Sequence, residues 1–203
     1  MKASRIVTVV GAAAIAVLAA AWLTLQGLGA RASALPELFP MPDFRLVNEQ
    51  GTVFGSADLR GKVVVANFIF TRCPTVCPGL TARMARLQKE IPADLPIHFV
   101  SFSVDPRHDT PEVLREYGKQ YDQDPARWTF LTGELGAVLE AVEKGFRIGV
   151  SGAEDPDASP FDIVHGEHFV LVDPAGTIRG YYPNEEAALQ RLVRDAQRLA
   201  GEG

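Results

Sequence analysis

Hydrophobic and polar positions alternate along most of this chain in two rhythms, and the rhythm changes where each element ends. Val63 to Phe70 reads VVVANFIF, apolar except for Asn67. Such a run predicts a strand buried on both faces. Ile97 to Val104, IHFVSFSV, predicts a second strand, and Trp128 to Leu131 a third. Between and after them the apolar residues recur at helical spacing. Leu80, Met84, Leu87 and Ile91 form one stripe; Val113, Leu114, Tyr117 and Tyr121 a second; Leu135, Val138, Leu139 and Val142 a third. A last stripe runs through Leu189, Leu192, Val193, Ala196 and Leu199. For all these stripes the plain reading is core packing.

Turn and cap chemistry punctuates the pattern. Asn48-Glu49-Gln50-Gly51 joins Phe44–Val47 to Thr52–Phe54 as a hairpin, and Asp173-Pro174-Ala175-Gly176 joins Phe169–Val172 to Thr177–Tyr182. Thr110-Pro111 opens the second helix, because Thr accepts a bond from a free N–H and Pro has none to leave unpaired. Thr132 and Asn184 are the expected caps of the third and last helices. The order is roughly ββ, βα, βα, βα, ββ, α, an α/β domain with a partly parallel, mixed sheet. Gly149 to Pro160, GVSGAEDPDASP, lacks either rhythm and is expected to be an exposed loop.

The first thirty-five residues are different. Ile6 to Leu25 is an unbroken uncharged run, long enough as a helix to span about 30 Å of hydrocarbon. Lys2 and Arg5 precede it, which places the N-terminus on the cytoplasmic side. Residues 1–35 are therefore expected to be a membrane anchor or signal sequence with the start of a short tether. Ala32-Ser33-Ala34 offers a cleavage site, but the run exceeds ordinary signal cores, which favours an uncleaved transmembrane helix. Pro36, Pro40 and Pro42 continue the tether into a domain covering residues 36–203.

Composition changes this picture little. The 203 residues carry 20 Lys+Arg against 25 Asp+Glu, a net charge of −5, with 47% apolar content. That is an ordinary globular balance and excludes a disordered or collagenous chain. The acidic excess argues against nucleic acid as a partner. The basic residues of the leader have no acidic companions, so the following domain is more acidic than the average.

The chemistry concentrates in two places. Both cysteines lie in Arg72-Cys73-Pro74-Thr75-Val76-Cys77-Pro78, between the buried strand and the first helix. Sites gather at such strand ends, and a helix start favours thiolate over thiol, with Arg72 as a further source of positive charge. Four-residue spacing on one helical turn would let the pair close a disulfide or present two thiolates to a soft metal. The pair alone does not choose between metal binding and dithiol redox chemistry. Of four histidines, His98 lies inside a strand and His108 in a polar loop. His165 and His168 stand at the junction of the acidic loop and a strand. Three residues apart in extended chain, they point oppositely, so at most one meets the cysteines. His165, outside the apolar run and beside Gly166, is free to swing and is the preferred one.

These residues resemble the Sco/SenC family of membrane-anchored copper proteins. The matching stretches are Phe70 to Pro78, Ser101-Phe102-Ser103-Val104-Asp105-Pro106, Asp109-Thr110-Pro111, Trp128 to Gly133, and His165 ahead of Asp173-Pro174-Ala175-Gly176. The resemblance covers roughly Phe39 to Leu199. It implies a thioredoxin-like mixed sheet flanked by helices, after one N-terminal transmembrane helix. It implies one copper ion, Cu(I) or Cu(II), held by Cys73, Cys77 and His165. It implies delivery of copper to the dinuclear copper site of cytochrome c oxidase subunit II, or reduction of that site's cysteines by Cys73 and Cys77, or both. Such a protein would be a metallochaperone rather than a turnover enzyme, held in the inner membrane with its domain facing the periplasm. Where the family often has a small hydroxyl residue after its histidine, this chain has Gly166. The alternative function is a membrane-anchored thiol–disulfide oxidoreductase that needs no metal. Glu154, Asp155 and Asp157 suggest that the loop presents copper to a basic rim.

Overall fold

The computed structural model describes residues 35–201. The anchor expected at Ile6–Leu25 lies outside the described residues. Among the described residues no helix is long and apolar enough to cross a membrane.

The centre of the fold is three parallel strands. These are β4 (Val63–Ile69), β5 (Ile97–Ser103) and β6 (Trp128–Thr132), in which every position is buried. They run β4–β5–β6 in register, Phe68 beside Phe102 and Phe102 beside Leu131. Parallel strands need crossovers, and the helical stripes supply them as α1 (Cys77–Glu90) and α2 (Pro111–Lys119). The remaining strands add antiparallel. On one side lie β9 (Phe169–Val172), β10 (Thr177–Tyr182) and the short β1 (Phe39–Pro40). On the other lie β2 (Arg45–Asn48) and β3 (Val53–Gly55). The eight-stranded order is β1-β10-β9-β4-β5-β6-β2-β3. The mixed α/β reading therefore holds. One part of the tether differs, because Phe39 and Pro40 already pair with Ile178 and Thr177.

Both predicted hairpins form. Asn48 Oδ1 accepts from the N–H groups of Gln50 and Thr52, and Gly51 takes φ +78°, a left-handed conformation that suits glycine. Thr110 caps α2 as expected, accepting from Val113 N–H. The other two expected caps do not. Thr132 is the last residue of β6, paired with Val47, and Glu134 instead accepts from Gly136 N–H to start α3 (Leu135–Leu139). The ladder captures Thr132, so the helix begins later and continues as a π turn over Glu140–Gly145. Asn184 Oδ1 has no partner, and α4 (Glu186–Gly201) begins without it.

The segment read as an exposed loop is partly ordered by pairing. β7 (Val150–Ser151) and β8 (Val164–His165) form a two-stranded ribbon apart from the main sheet. The residues between them remain mostly exposed.

Candidate metal centre

Strand β4 delivers the chain to the site. After Ile69 the backbone turns through Phe70–Val76, and α1 starts at Cys77 with Pro78 in its first turn. Only Cys77 is helical. Cys73 lies in the preceding turn, its N–H donating to the Phe70 carbonyl at 3.3 Å. The two cysteines therefore do not share one helical turn as the spacing suggested, because the helix begins at the second of them. Both are buried and both are free thiols.

The turn is clamped from β5 and the loop after it. Asp109, wholly buried, accepts from the Thr71 N–H at 3.0 Å and from the hydroxyls of Thr71 and Ser103 at 2.5 Å each. Burial raises the Asp109 pKa, partly offset by the bonds from Ser103 and Thr71. Arg72 reaches Asp105 with Nε at 3.0 Å and Nη2 at 2.8 Å, while His108 Nδ1 meets the other Asp105 oxygen at 3.0 Å. Arg72 thus serves Asp105 rather than standing free beside the thiols. Asp105 and Asp109 carried no role in the sequence reading, although both fall in stretches that bear the family resemblance. Their spacing after a buried strand was the available signal.

The two thiols have unlike surroundings. For Cys73, burial raises the pKa, but hydrogen bonds from Cys77 and Thr75 outweigh it, so the net shift is downward. For Cys77, burial drives the pKa well up, and the negative charges of Cys73 and Asp109 push it further. Cys73 is the readier thiolate.

His165 comes from β8, opposite Val150, and is buried. Its Nε2 lies 3.2 Å from Cys77 Sγ, although 88 residues separate the two in sequence. Its Nδ1 lies 3.1 Å from the Gly166 carbonyl oxygen, which can only accept. The proton therefore sits on Nδ1, and Nε2 turns a lone pair toward the sulfur. Burial lowers the His165 pKa, which favours the neutral ring. The Phe70 ring meets it edge-on at 5.8 Å. In the folded structure the ring sits against Phe70 and Cys77, on a strand paired to Val150.

The other histidines separate as expected. His168 is exposed and borders a different hollow with Phe39, Arg147 and Tyr181. His98 Nε2 is bonded to Thr129 Oγ1 at 2.9 Å within the sheet. A hollow of about 260 Å³ opens onto the site, and Cys73, His165, Phe70, Thr75 and Phe161 are among its walls. Among the described residues, no three His, Cys, Asp or Glu side chains are already gathered as a metal site. What is assembled is the Cys77–His165 pair, with Cys73 at the wall of the same hollow. Two thiols and an imidazole lone pair would, if drawn onto one ion, be a soft donor set suited to Cu(I), Zn or similar ions.

The SCO1/SenC family model matches residues 36–201. The chain belongs to the SCO1/SenC family. A SCO1 protein homolog of Bacillus subtilis is 33% identical over 179 residues, covering 87% of this chain and 91% of that one. The structure of BsSco, described with a disulfide switch and as a member of the Sco family of cytochrome c oxidase assembly proteins, is similar at TM-score 0.70. It is 29% identical, covering 83% of this chain and 98% of its own. Copper-bound yeast Sco1 is similar at TM-score 0.64 and 25% identity, covering 80% and 90% respectively. The thioredoxin-like mixed α/β fold is that of this SCO1/SenC family.

Proposed function

We propose that this protein is a copper-binding assembly factor for cytochrome c oxidase, carrying copper to the dinuclear site of subunit II through Cys73, Cys77 and His165. The observation that carries the reading is the 3.2 Å approach of His165 Nε2 to Cys77 Sγ. Folding has brought a lone pair to a thiol across 88 residues, and His165 shares the wall of one hollow with Cys73. Copper is the cargo, and as Cu(I) it suits such soft donors. The chain's own part is to hold the imidazole in one tautomer, keep Cys77 dry and leave Cys73 toward the opening. Residues 1–35 would hold the domain, residues 36–203, at the periplasmic face of the inner membrane as a single-pass anchor. Support for that is the run Ile6–Leu25 behind Lys2 and Arg5.

A copper titration of reduced protein tests the reading. Wild type should bind one equivalent. Cys73→Ser, Cys77→Ser and His165→Ala should each weaken binding by more than the roughly 10–100-fold lost with a mere hydrogen-bond partner of a ligand. His168→Ala should bind as wild type. Wild-type affinity in His165→Ala would overturn the ligand assignment.

The unlike thiols favour a second use of the same pair. The Cys73 thiolate attacks a partner's disulfide, forming a mixed disulfide and releasing one partner thiolate. Cys77 then gives its proton to His165 Nε2 and attacks the Cys73 sulfur, displacing the other partner sulfur as thiolate and leaving a Cys73–Cys77 disulfide and a reduced partner. Cys77→Ser should trap the mixed disulfide with a disulfide-bonded subunit II domain. Failure to trap it would remove this reductase role.

A further inference from the structure

We propose that the segment from Gly152 to Val164 is the docking surface for the copper-accepting protein, and that the matching face of that protein is an apolar recess rimmed by Lys and Arg. The proposal rests on the carrier reading above and adds the chemistry of the partner.

Phe161 is 74% exposed and Val164 61% exposed, and both line the mouth of the hollow that holds Cys73 and His165. Among the described residues only Val53, on the edge strand β3, is comparably exposed for a large apolar side chain. The exposure of Phe161 is not that of a slack loop. The β7–β8 ribbon closes the loop, and Ala153 and Ile163 are buried at its base. Gly152 sits at φ +78° against the Asp162 backbone, where a side chain would collide. The Asp162 carboxylate accepts from the Ser159 N–H at 2.9 Å and its hydroxyl at 2.6 Å. Arg107 reaches across to donate to the carbonyls of Ala153 and Glu154 at 2.9 and 2.8 Å. A loop built this firmly around an aromatic ring in water has the form of an interface anchor.

Charge selects the occupant. Glu167 shares the wall of the hollow with Phe161, and Glu154, Asp155, Asp157 and Asp162, in the same segment, are all exposed. The sequence has no Lys or Arg between Arg147 and Arg179. An anionic lipid surface would be repelled. A second copy meeting the same face by two-fold symmetry would set carboxylates against carboxylates. A basic rim around an apolar recess is what remains complementary. Docking there would also cover the opening above Cys73 and keep water from the donors during transfer.

The test uses the full chain in detergent micelles and the soluble copper-accepting domain of oxidase subunit II as probe. Copper titration of wild type, Phe161→Ala and Phe161→Asp without the probe comes first, and association is then compared between proteins each loaded to saturation with copper. Association with the probe should then weaken about tenfold or more in Phe161→Ala, and further in Phe161→Asp. Glu154→Gln/Asp155→Asn/Asp157→Asn should slow association and flatten its salt dependence. Wild-type association in Phe161→Asp would overturn the proposal, as would absence of any association between copper-loaded wild type and the probe. A dimer of wild type that Phe161→Asp dissociates would assign the face to a second copy and overturn it too. Loss of copper binding by wild type itself would be a failure of the carrier reading, visible before any probe is added.

Discussion

The two halves of the site come from regions of unlike construction. The cysteine half stands at the end of a strand buried along its whole length, and its turn is tied to β5 and the following loop by Asp105 and Asp109. The histidine half hangs on a ribbon two residues long, outside the main sheet, with exposed acidic residues around it. Elements with few buried contacts open at lower free energy than the global transition. The cysteine geometry is thus set by the sheet, whereas the histidine end is held by its own loop bonds and a two-residue ribbon, and is expected to open before the sheet does. For a carrier that must release its cargo, this places the exit at His165. Substitutions should sort accordingly, with those behind the cysteines felt by the whole fold and those in the ribbon felt by the site.

The largest effect should come from Asp109→Ala. It strands the Thr71 N–H and the Thr71 and Ser103 hydroxyls in or near the core, and buried donors without partners are expensive. A loss of roughly 3 kcal/mol in urea unfolding is expected. A loss no larger than that of ribbon variants would break the contrast between the halves.

Acid should act next, again on the sheet. Burial holds the His98 pKa down at about 4, helped by the charges of Lys62 and Arg127 and opposed by Asp124. Unfolded, the ring titrates near 6.5. Between these values the unfolded chain binds more protons at this ring, so the His98 contribution is complete above pH 6.5 and falls as pH drops toward 4. The fall should amount to roughly 3 kcal/mol. His98→Gln should flatten that part of the pH profile of urea unfolding. His165→Ala should leave the His98 contribution in place.

The same contrast explains what could be read without coordinates. The central strands, the helical stripes and both hairpins were legible because periodicity and turn chemistry report burial directly. Cys73 and Cys77 were legible as a pair because they bracket a strand–helix junction. The pairing of His165 with Val150 was not, since two-residue strands leave no alternation to read. Its fixed position followed from tertiary packing against Phe70 and Cys77. Thr132 was misassigned as a cap because a threonine next to Gly133 suits either a strand end or a helix start, and only the ladder to Val47 decides. Phe161 stands just beyond Pro160, where the Gly-, Ser- and acid-rich stretch ends, so composition does not mark it as part of the loop.

In the ribbon, Gly152→Ala is the strongest change. Its φ of +78° disfavours any side chain, and the new Cβ would meet the Asp162 carbonyl. The strain, about 2 kcal/mol, is relieved when the loop opens, so the global loss is capped by the local opening energy. Copper affinity should fall about tenfold, while urea unfolding moves by less than about 1 kcal/mol. Equal losses in both would mean the ribbon is part of the cooperative core.

Arg107→Ala should give the smallest effect and the sharpest reading of the loop. The side chain is exposed and makes two hydrogen bonds to backbone carbonyls, of which that of Glu154 is open to water and that of Ala153 is only partly covered, so its removal costs little. Urea unfolding should shift by under roughly 0.5 kcal/mol, as for an ordinary surface change. Hydrogen exchange should nevertheless quicken severalfold at the ribbon amides of Val150 and Gly166, which donate to Glu143 and to the Gly149 carbonyl. The amides of β4 and β5 should not change. Faster exchange in β4 would show that Arg107 supports the sheet as well, and the two halves of the site would then be one mechanical unit.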